Sequence, residues 1–248
     1  MKSYKDIRFS DDFDNAFVNV HIPEDKEEFD CFVYFHGGGL VAGGRYEPFI
    51  EPLVKLGIAV VMVEYRMYPG AKHPDYIVDC AKAVGWTLKH INKYGKCKGI
   101  YVGGSSAGAY ISMMLCFNTA YLRAEGVNPM DISGYLHDAG QPTTHFRYLS
   151  TERGVDSRRL IVDECAPLYY IGLEKEYPRM RFIYSDGDGI SRQKQNDLVI
   201  SVLHDFGYDK DKISLRTMHG GHCAYVKIVE QDGTSPFAKI VYDFICDR

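Results

Sequence analysis

The chain has 248 residues, of which 46% are hydrophobic and 25% are charged, a composition typical of one large globular domain with a substantial core. Its formal net charge of −4 provides no positive field for a nucleic acid backbone or an anionic lipid surface, which argues against both partners. An acidic N-terminus without a leader pattern, no apolar run near the ~20 residues of a membrane span, and seven scattered cysteines predict a soluble, cytoplasmic protein with reduced thiols.

A strand predicted at 16–22 is followed by a second at 29–35, which is almost continuously apolar, as is typical of a strand buried on both faces. The second strand runs directly into the sequence HGGG at 36–39. Three consecutive glycines free the backbone to turn its N–H groups toward one point, as a site for developing negative charge requires. We expect His36 to anchor this loop by a hydrogen bond rather than to act as an acid or base.

A third strand predicted at 58–64 leads through a turn into a helix predicted from His73-Pro74, with Pro74 in its first turn, to about Tyr94-Gly95. The apolar residues of this helix recur along one stripe. Arg66, in the turn, is expected to tie loops together through its guanidinium rather than to bind substrate.

The next predicted strand, 99–102, enters the sequence GSSAG at 104–108, after which apolar residues recur with helical spacing. A G-x-S-x-G at a strand-to-helix junction is a nucleophile elbow, whose strained turn projects the serine hydroxyl above the sheet. The pattern alone arises by chance in about one chain in ten of this length, but its context and its downstream partners favour the functional interpretation. We therefore predict Ser106 as the nucleophile. The predicted oxyanion donors are the N–H groups of Gly37, Gly38 and Ala107.

A strand is predicted at 131–139. In residues 140–178 the apolar residues show no regular helical or strand periodicity, apart from a helix predicted at about 156–165. Loops at the carboxyl ends of parallel strands form the ligand crevice of an open α/β sheet, so this segment is predicted to form a lid or a substrate wall. Its aromatic residues either line an acyl or alcohol pocket or pack the lid onto the body. The predicted substrate contacts are Leu40, Tyr110 and Tyr169.

Two acids follow the strand predicted at 181–185 and compete for one role. A carboxylate beyond a strand end can hold the Nδ1–H of a histidine, which fixes the tautomer and stabilises the imidazolium. Asp186 comes directly off the strand, where aspartate commonly caps a turn. We choose Asp188, which lies further out and is better placed to reach across a loop, and Asp186 stays the alternative.

A helix predicted at 193–206 leads to the last strand, 213–218, and then to the sequence HGGHC at 219–223. A histidine past the final strand completes the chain order Ser, Asp, His. His222 follows the glycine turn and can reach the elbow, whereas His219 belongs to the strand end, so we choose His222 as the base. Cys223 has no separate base nearby and is expected to pack.

Together these motifs resemble those of α/β-hydrolase esterases of the hormone-sensitive-lipase-like, acetyl-esterase type, from Phe29 to the C-terminus. The resemblance implies a single α/β-hydrolase domain at 1–248, with a mostly parallel sheet, helices on both faces and a short lid-like insertion at about 140–180. It also implies a catalytic triad that needs neither a metal nor an organic cofactor, formed by Ser106, Asp188 and His222.

The sequence departs from that family in two ways. Ser105 stands where the family has an aspartate, and no long N-terminal segment supplies the helical cap of the larger members. The second departure implies a shallower and more open site, which favours short acyl groups over long-chain lipids.

The predicted activity is hydrolysis of a small acyl ester through an acyl-enzyme intermediate. Three alternatives stay open: a small-molecule receptor of the same fold, an amidase or peptidase with the same triad, and a metal hydrolase. The last would use His219, His222, Asp186 and Asp188, which lack the HExxH spacing. Motifs leave open the acyl length, the alcohol and the oligomeric state, for which a homodimer is one candidate.

Overall fold

The computed structural model describes residues 1–247, which contain eight strands and seven α-helices. The strands are β1 Lys2–Arg8, β2 Phe17–Ile22, β3 Glu28–Phe35, β4 Ile58–Val63, β5 Lys96–Ser105, β6 Ile132–Asp138, β7 Met180–Ser185 and β8 Ile213–Met218. The α-helices are α1 Ile50–Lys55, α2 Asp75–His90, α3 Ala107–Phe117, α4 Ala120–Ala124, α5 Phe146–Thr151, α6 Ile190–Asp205 and α7 Pro236–Cys246. The strands form one sheet in the order β1-β2-β4-β3-β5-β6-β7-β8, in which β3 to β8 run parallel and β1 and β2 antiparallel.

The two faces of the sheet pack against different helices, because successive side chains of a strand point to opposite faces. In β3, Val33 and Phe35 join the core cluster that includes α2 and α3, whereas Phe32 and Tyr34 join the cluster that includes α1 and α7. The prediction of a mostly parallel sheet with helices on both faces is therefore confirmed. No helix within residues 1–247 is long and apolar enough to cross a bilayer.

Two regions differ from the prediction. The N-terminal region holds two strands instead of one, because β1 is a largely exposed, polar edge strand that carries little of the expected apolar signal. The helix predicted at about 156–165 is absent. There the Asp156 carboxylate accepts from the Arg158 N–H at 2.9 Å and the Asp163 carboxylate accepts from the Cys165 N–H at 3.0 Å. These aspartate turns satisfy the backbone locally and compete with helix formation.

The carboxyl ends of the parallel strands place four loops along one edge of the sheet. Strands β3 and β5 are neighbours, so the HGGG loop after Phe35 lies beside the GSSAG turn after Gly104. Strands β7 and β8 are likewise neighbours, so the two acids lie beside the two histidines. Every motif singled out in the sequence thus reaches the crevice of this open sheet.

Candidate active site

The turn between β5 and α3 holds Ser106 in a backbone conformation that few side chains adopt, with φ 55° and ψ −112°. The Ser106 N–H donates to the Asp138 carbonyl at 2.7 Å, which ties the turn to β6. The flanking glycines are required by close packing. A Cβ at Gly108 would lie 1.9 Å from the Phe35 carbonyl oxygen, and one at Gly104 would lie 2.5 Å from the carbonyl carbon of Gly108.

Ser106, His222 and Asp188 form one hydrogen-bonded chain. The Ser106 Oγ lies 2.9 Å from His222 Nε2, and His222 Nδ1 lies 2.8 Å from Asp188 Oδ2. Burial alone would raise the pKa of Asp188, but hydrogen bonds from His222 and the Gly189 N–H hold it below its usual value. An ionised carboxylate only accepts, so Nδ1 carries the imidazole proton and Nε2 accepts from the Ser106 hydroxyl.

A second acid and histidine pair lies beside the first and does not reach the serine. His219 Nδ1 lies 2.8 Å from Asp186 Oδ2, and the side chain of His219 is 96% exposed. The hydrogen bond that His219 donates to the Asp186 carboxylate raises the pKa of His219. The four side chains thus form two separate pairs, and within residues 1–247 no group of three or more His, Cys, Asp or Glu side chains converges as a metal site.

The glycine loop after β3 is held close to the serine. A Cβ at Gly37 would lie 3.5 Å from the Ser106 Cβ, and Gly38 has a φ of +109° that suits glycine. Across residues 1–247, no protein acceptor takes the N–H of Gly37, Gly38 or Ala107. Three N–H groups, one next to Ser106 in the chain and two on the adjacent loop, are therefore without an acceptor among the described residues.

His36 anchors this loop from below. Its Nδ1–H donates to the Gly37 carbonyl at 2.7 Å, its ring stacks on Tyr65 with 4.3 Å between centroids, and the Tyr65 hydroxyl donates to the His36 carbonyl at 2.7 Å. Burial lowers the pKa of His36 to about 4, so the ring is neutral near pH 7. Arg66 also has a structural role, since its Nε and Nη2 donate to the two oxygens of Asp79 at 2.9 and 2.7 Å.

A cleft of about 740 Å³ opens above the serine. Its wall includes the glycine loop, Ser106 and His222. Three charged side chains and two aromatic ones also line it, namely Glu47, Arg192, Lys227, Tyr34 and Phe146. Phe146, on α5, lies against the glycine loop, since its Cζ is 3.3 Å from the position of a Cβ at Gly39. The segment between β6 and β7 thus closes one side of the cleft.

A profile described as the alpha/beta hydrolase fold matches residues 32–187, which is more than half of the chain, spans the glycine loop and the elbow, and ends one residue before Asp188. The chain belongs to the α/β-hydrolase family.

Several relatives of this α/β-hydrolase are named as esterases or lipases. A probable carboxylesterase 3 from Arabidopsis thaliana is 28% identical over 124 residues, which are 44% of this chain and 39% of that protein. A hormone-sensitive lipase from Homo sapiens is 35% identical over 96 residues, which are 37% of this chain and 8% of that protein. The matched regions span less than half the length of these curated relatives.

Solved structures show the same fold at low identity. Esterase B from Lactobacillus rhamnosis aligns with a TM-score of 0.76 and 16% identity over 99% of this chain and 85% of that chain. A truncated carbohydrate esterase from gut microbiota aligns with a TM-score of 0.75 and 16% identity over 100% and 96% of the two chains.

The three predicted substrate contacts lie elsewhere in this α/β-hydrolase. Leu40 is fully buried in the core, Tyr110 is fully buried with its hydroxyl on the Cys165 carbonyl at 2.8 Å, and Tyr169 is 56% exposed. None of the three lines the cleft above Ser106. Their placement does not support a substrate contact, because α5, and not the segment that carries Tyr169, forms the wall.

A buried carboxylate beneath the elbow was missed by the sequence interpretation. Asp138, the last residue of β6, accepts from Ser105 Oγ at 2.5 Å and from the Tyr225 hydroxyl, and Tyr34 donates to Ser105 Oγ at 2.8 Å. The neighbouring strand thus supplies a carboxylate next to the position where the resemblance leads one to expect an aspartate in place of Ser105. The sequence signal for this role was an aspartate near the carboxyl end of a strand that is predicted to be buried.

Burial raises the pKa of Asp138 from 3.8 to about 6. A raised folded pKa means that the folded state binds the proton more tightly, so the Asp138 contribution to stability is present below pH 4 and is lost as the pH rises through 6. We expect Asp138→Asn to remove this loss. Urea unfolding at pH 4 to 7 should show the free energy of unfolding of the variant gaining about 3 kcal/mol relative to wild type, and parallel profiles would contradict the assignment.

Proposed function

We propose that this α/β-hydrolase is a serine carboxylesterase that cleaves short-chain acyl esters through an acyl-enzyme intermediate. The observation that carries the proposal is the unbroken hydrogen-bonded chain from Ser106 Oγ through His222 to Asp188. Such a chain activates a hydroxyl that is unreactive on its own.

In the first half of the reaction, His222 Nε2 takes the Ser106 proton as Oγ attacks the ester carbonyl carbon. The imidazolium then gives this proton to the leaving alcohol, and the acyl group stays on Oγ. In the second half, His222 takes a proton from water, the hydroxide adds to the acyl carbon, and the acid leaves as Ser106 recovers its proton. Asp188 holds Nδ1–H throughout and stabilises the imidazolium.

The tetrahedral oxyanion formed in both halves is stabilised by the N–H groups of Gly37, Gly38 and Ala107. These donors are held in place before the substrate binds, because the close packing of the glycine loop against the elbow leaves little freedom to reorient. Donors that need no reorganisation are worth the most in the transition state.

The proposed preference for short acyl groups rests on how few secondary-structure elements cover the cleft. Residues 2–22 add β1 and β2 to the sheet edge, so within the described chain they form no helical cap over the cleft. The segment between β6 and β7 contributes only the six-residue helix α5 and a short turn at Pro167–Tyr170. Phe146 closes one side of the cleft, against Gly39 of the glycine loop.

A series of p-nitrophenyl esters from acetate to laurate tests the proposal. We expect kcat/KM to be highest at acetate to butyrate and at least about 10-fold lower at octanoate, because Phe146 closes one side of the cleft against a longer acyl chain. A fluorophosphonate probe is expected to label one serine.

Each alternative predicts a different result. A receptor of this fold turns over no ester and resists the probe, and an amidase cleaves p-nitroacetanilide faster than p-nitrophenyl acetate. Either outcome would replace the esterase proposal.

A further inference from the structure

The guanidinium of Arg192 lies in the wall of the cleft without a carboxylate partner. Several other arginines have one, as Arg66 has Asp79 and Arg153 has Asp163. Within residues 1–247, no carboxylate oxygen lies within 4.0 Å of the Arg192 side chain, whose single hydrogen bond is a long one of 3.4 Å from Nη2 to Gln141 Oε1. Most of its five N–H donors therefore have no protein acceptor.

The position of this arginine is costly in the free protein. Arg192 is the third residue of α6, so its positive charge lies at the positive end of the helix dipole. It is half-buried, and burial lowers its pKa. A partly desolvated cation at a helix N-terminus with few hydrogen-bond acceptors destabilises the folded protein. Such locally unfavourable placements are concentrated at functional sites.

None of the described charges of the cleft makes a direct ion pair with Arg192. Asp188 attracts it from a distance, and both oxygens of that carboxylate accept other hydrogen bonds, from His222 and from the Gly189 N–H. Glu47 interacts with Lys227, whose charge opposes the rise in the Glu47 pKa that burial causes. The charge of Arg192 is therefore attracted by a nearby acid, while its N–H donors have no carboxylate to bind.

We propose that Arg192 binds an ionised carboxylate of the substrate, so that the preferred esters carry a second, free carboxylate group. This inference rests on the proposed esterase function and adds a substrate class to it. The planar fork of a guanidinium matches a carboxylate with two parallel hydrogen bonds.

The carboxylate belongs either to the acyl group or to the alcohol, and two matched pairs of esters distinguish these sources. The first pair is monoethyl succinate and its amide, ethyl succinamate, which differ by one charge in the acyl group. The second pair is O-acetylglycolate and O-acetylglycolamide, which differ by one charge in the alcohol. Release of acid at constant pH measures kcat/KM for all four compounds.

In one pair we expect the wild-type protein to prefer the carboxylate over the amide by about 10- to 100-fold, the range of one charge-assisted contact. Arg192→Gln should abolish that preference, and Arg192→Lys should keep part of it. Because Arg192 also affects the Asp188 pKa, its loss changes turnover of every ester, and the ratio within a pair cancels this common factor. Circular dichroism and thermal melting establish that each variant folds.

Lys227→Gln is the matched control, since it removes a positive charge from the same cleft wall. Retention of the preference in this variant supports a direct contact at Arg192, whereas equal losses in both variants would show a general field and overturn the proposal. Equal rates for carboxylate and amide in both wild-type pairs would also overturn it, while turnover of p-nitrophenyl acetate would still support the esterase function.

Binding gives a readout that does not need turnover. In the Ser106→Ala background, calorimetry should show tighter binding of the preferred carboxylate ester than of its amide, and addition of Arg192→Gln should remove the difference. Equal binding of the two compounds in the Ser106→Ala protein would refute the carboxylate site even if the proposed activity itself failed.

Discussion

Replacing Ser106 by alanine is expected to lower kcat/KM for p-nitrophenyl acetate by about 10⁴-fold or more. The substitution removes the Oγ that lies 2.9 Å from His222 Nε2 and leaves no other hydroxyl at that position. Free N–H groups of the glycine loop stay in place, so a small residual rate above that of water is expected. Steady-state kinetics and labelling with a fluorophosphonate measure the loss.

The adjacent Ser105 provides the matched control for this experiment. Its Oγ donates to Asp138 beneath the elbow, away from His222. We expect Ser105→Ala to react with the fluorophosphonate, with a loss of stability as its main effect, because the Tyr34 hydroxyl and the Asp138 carboxylate lose a shared partner. If Ser106→Ala kept wild-type activity, or if labelling followed Ser105, the proposed nucleophile would be wrong.

Asp188→Asn is expected to lower kcat by about 10⁴-fold at pH 7 to 8. An amide places an N–H where the carboxylate accepted one, so the His222 ring adopts the tautomer that has its proton on Nε2. That nitrogen is then unable to take the Ser106 proton. The imidazolium formed during attack also loses its negative neighbour.

Asp186→Asn is the control for this variant, because Asp186 contacts His219 and not His222. We expect a change in kcat of less than about threefold. A large loss in Asp186→Asn together with a small loss in Asp188→Asn would reverse the assignment of the two acids. Kinetics of both variants on one substrate, with melting curves to verify folding, distinguish the two outcomes.

The central strands are predictable because a strand buried on both faces has a nearly continuous apolar sequence. Strands β3, β4 and β8 occur within a residue of their predicted bounds. The apolar pattern does not predict segments whose conformation is set by polar contacts. The aspartate turns at Asp156 and Asp163 replace a predicted helix, and they depend on side-chain geometry that periodicity does not capture.

Helix α7 was missed although the sequence carries its signals. Ser235 caps its first turn, Pro236 stands at the first helical position, and the apolar residues face the second core cluster. Together these features are typical of a helix N-terminus followed by an amphipathic helix.

The residues that meet at the cleft were predictable where a motif marks them, as at Ser106 and His222. Arg192 and Asp138 lie outside the recognised motifs, and their roles arise from neighbours that are distant in the chain. Asp138 acquires its role from Tyr225, 87 residues away. Such roles depend on contacts between side chains that only the folded sheet brings together. A single sequence does not reveal these contacts.

Two backbone hydrogen bonds join the loops after β7 and β8. The Asp186 N–H donates to the Met218 carbonyl at 2.8 Å, and the Gly187 N–H donates to the Gly220 carbonyl at 3.0 Å. The loops that carry the acid and the imidazole are therefore bonded directly to each other, whereas the turn that carries the hydroxyl is joined to them through β6. Thermal fluctuations should vary the distance between imidazole and hydroxyl more than the distance between imidazole and acid. The proton acceptor thus keeps its orientation while its distance from the hydroxyl adjusts as an ester enters and its products leave.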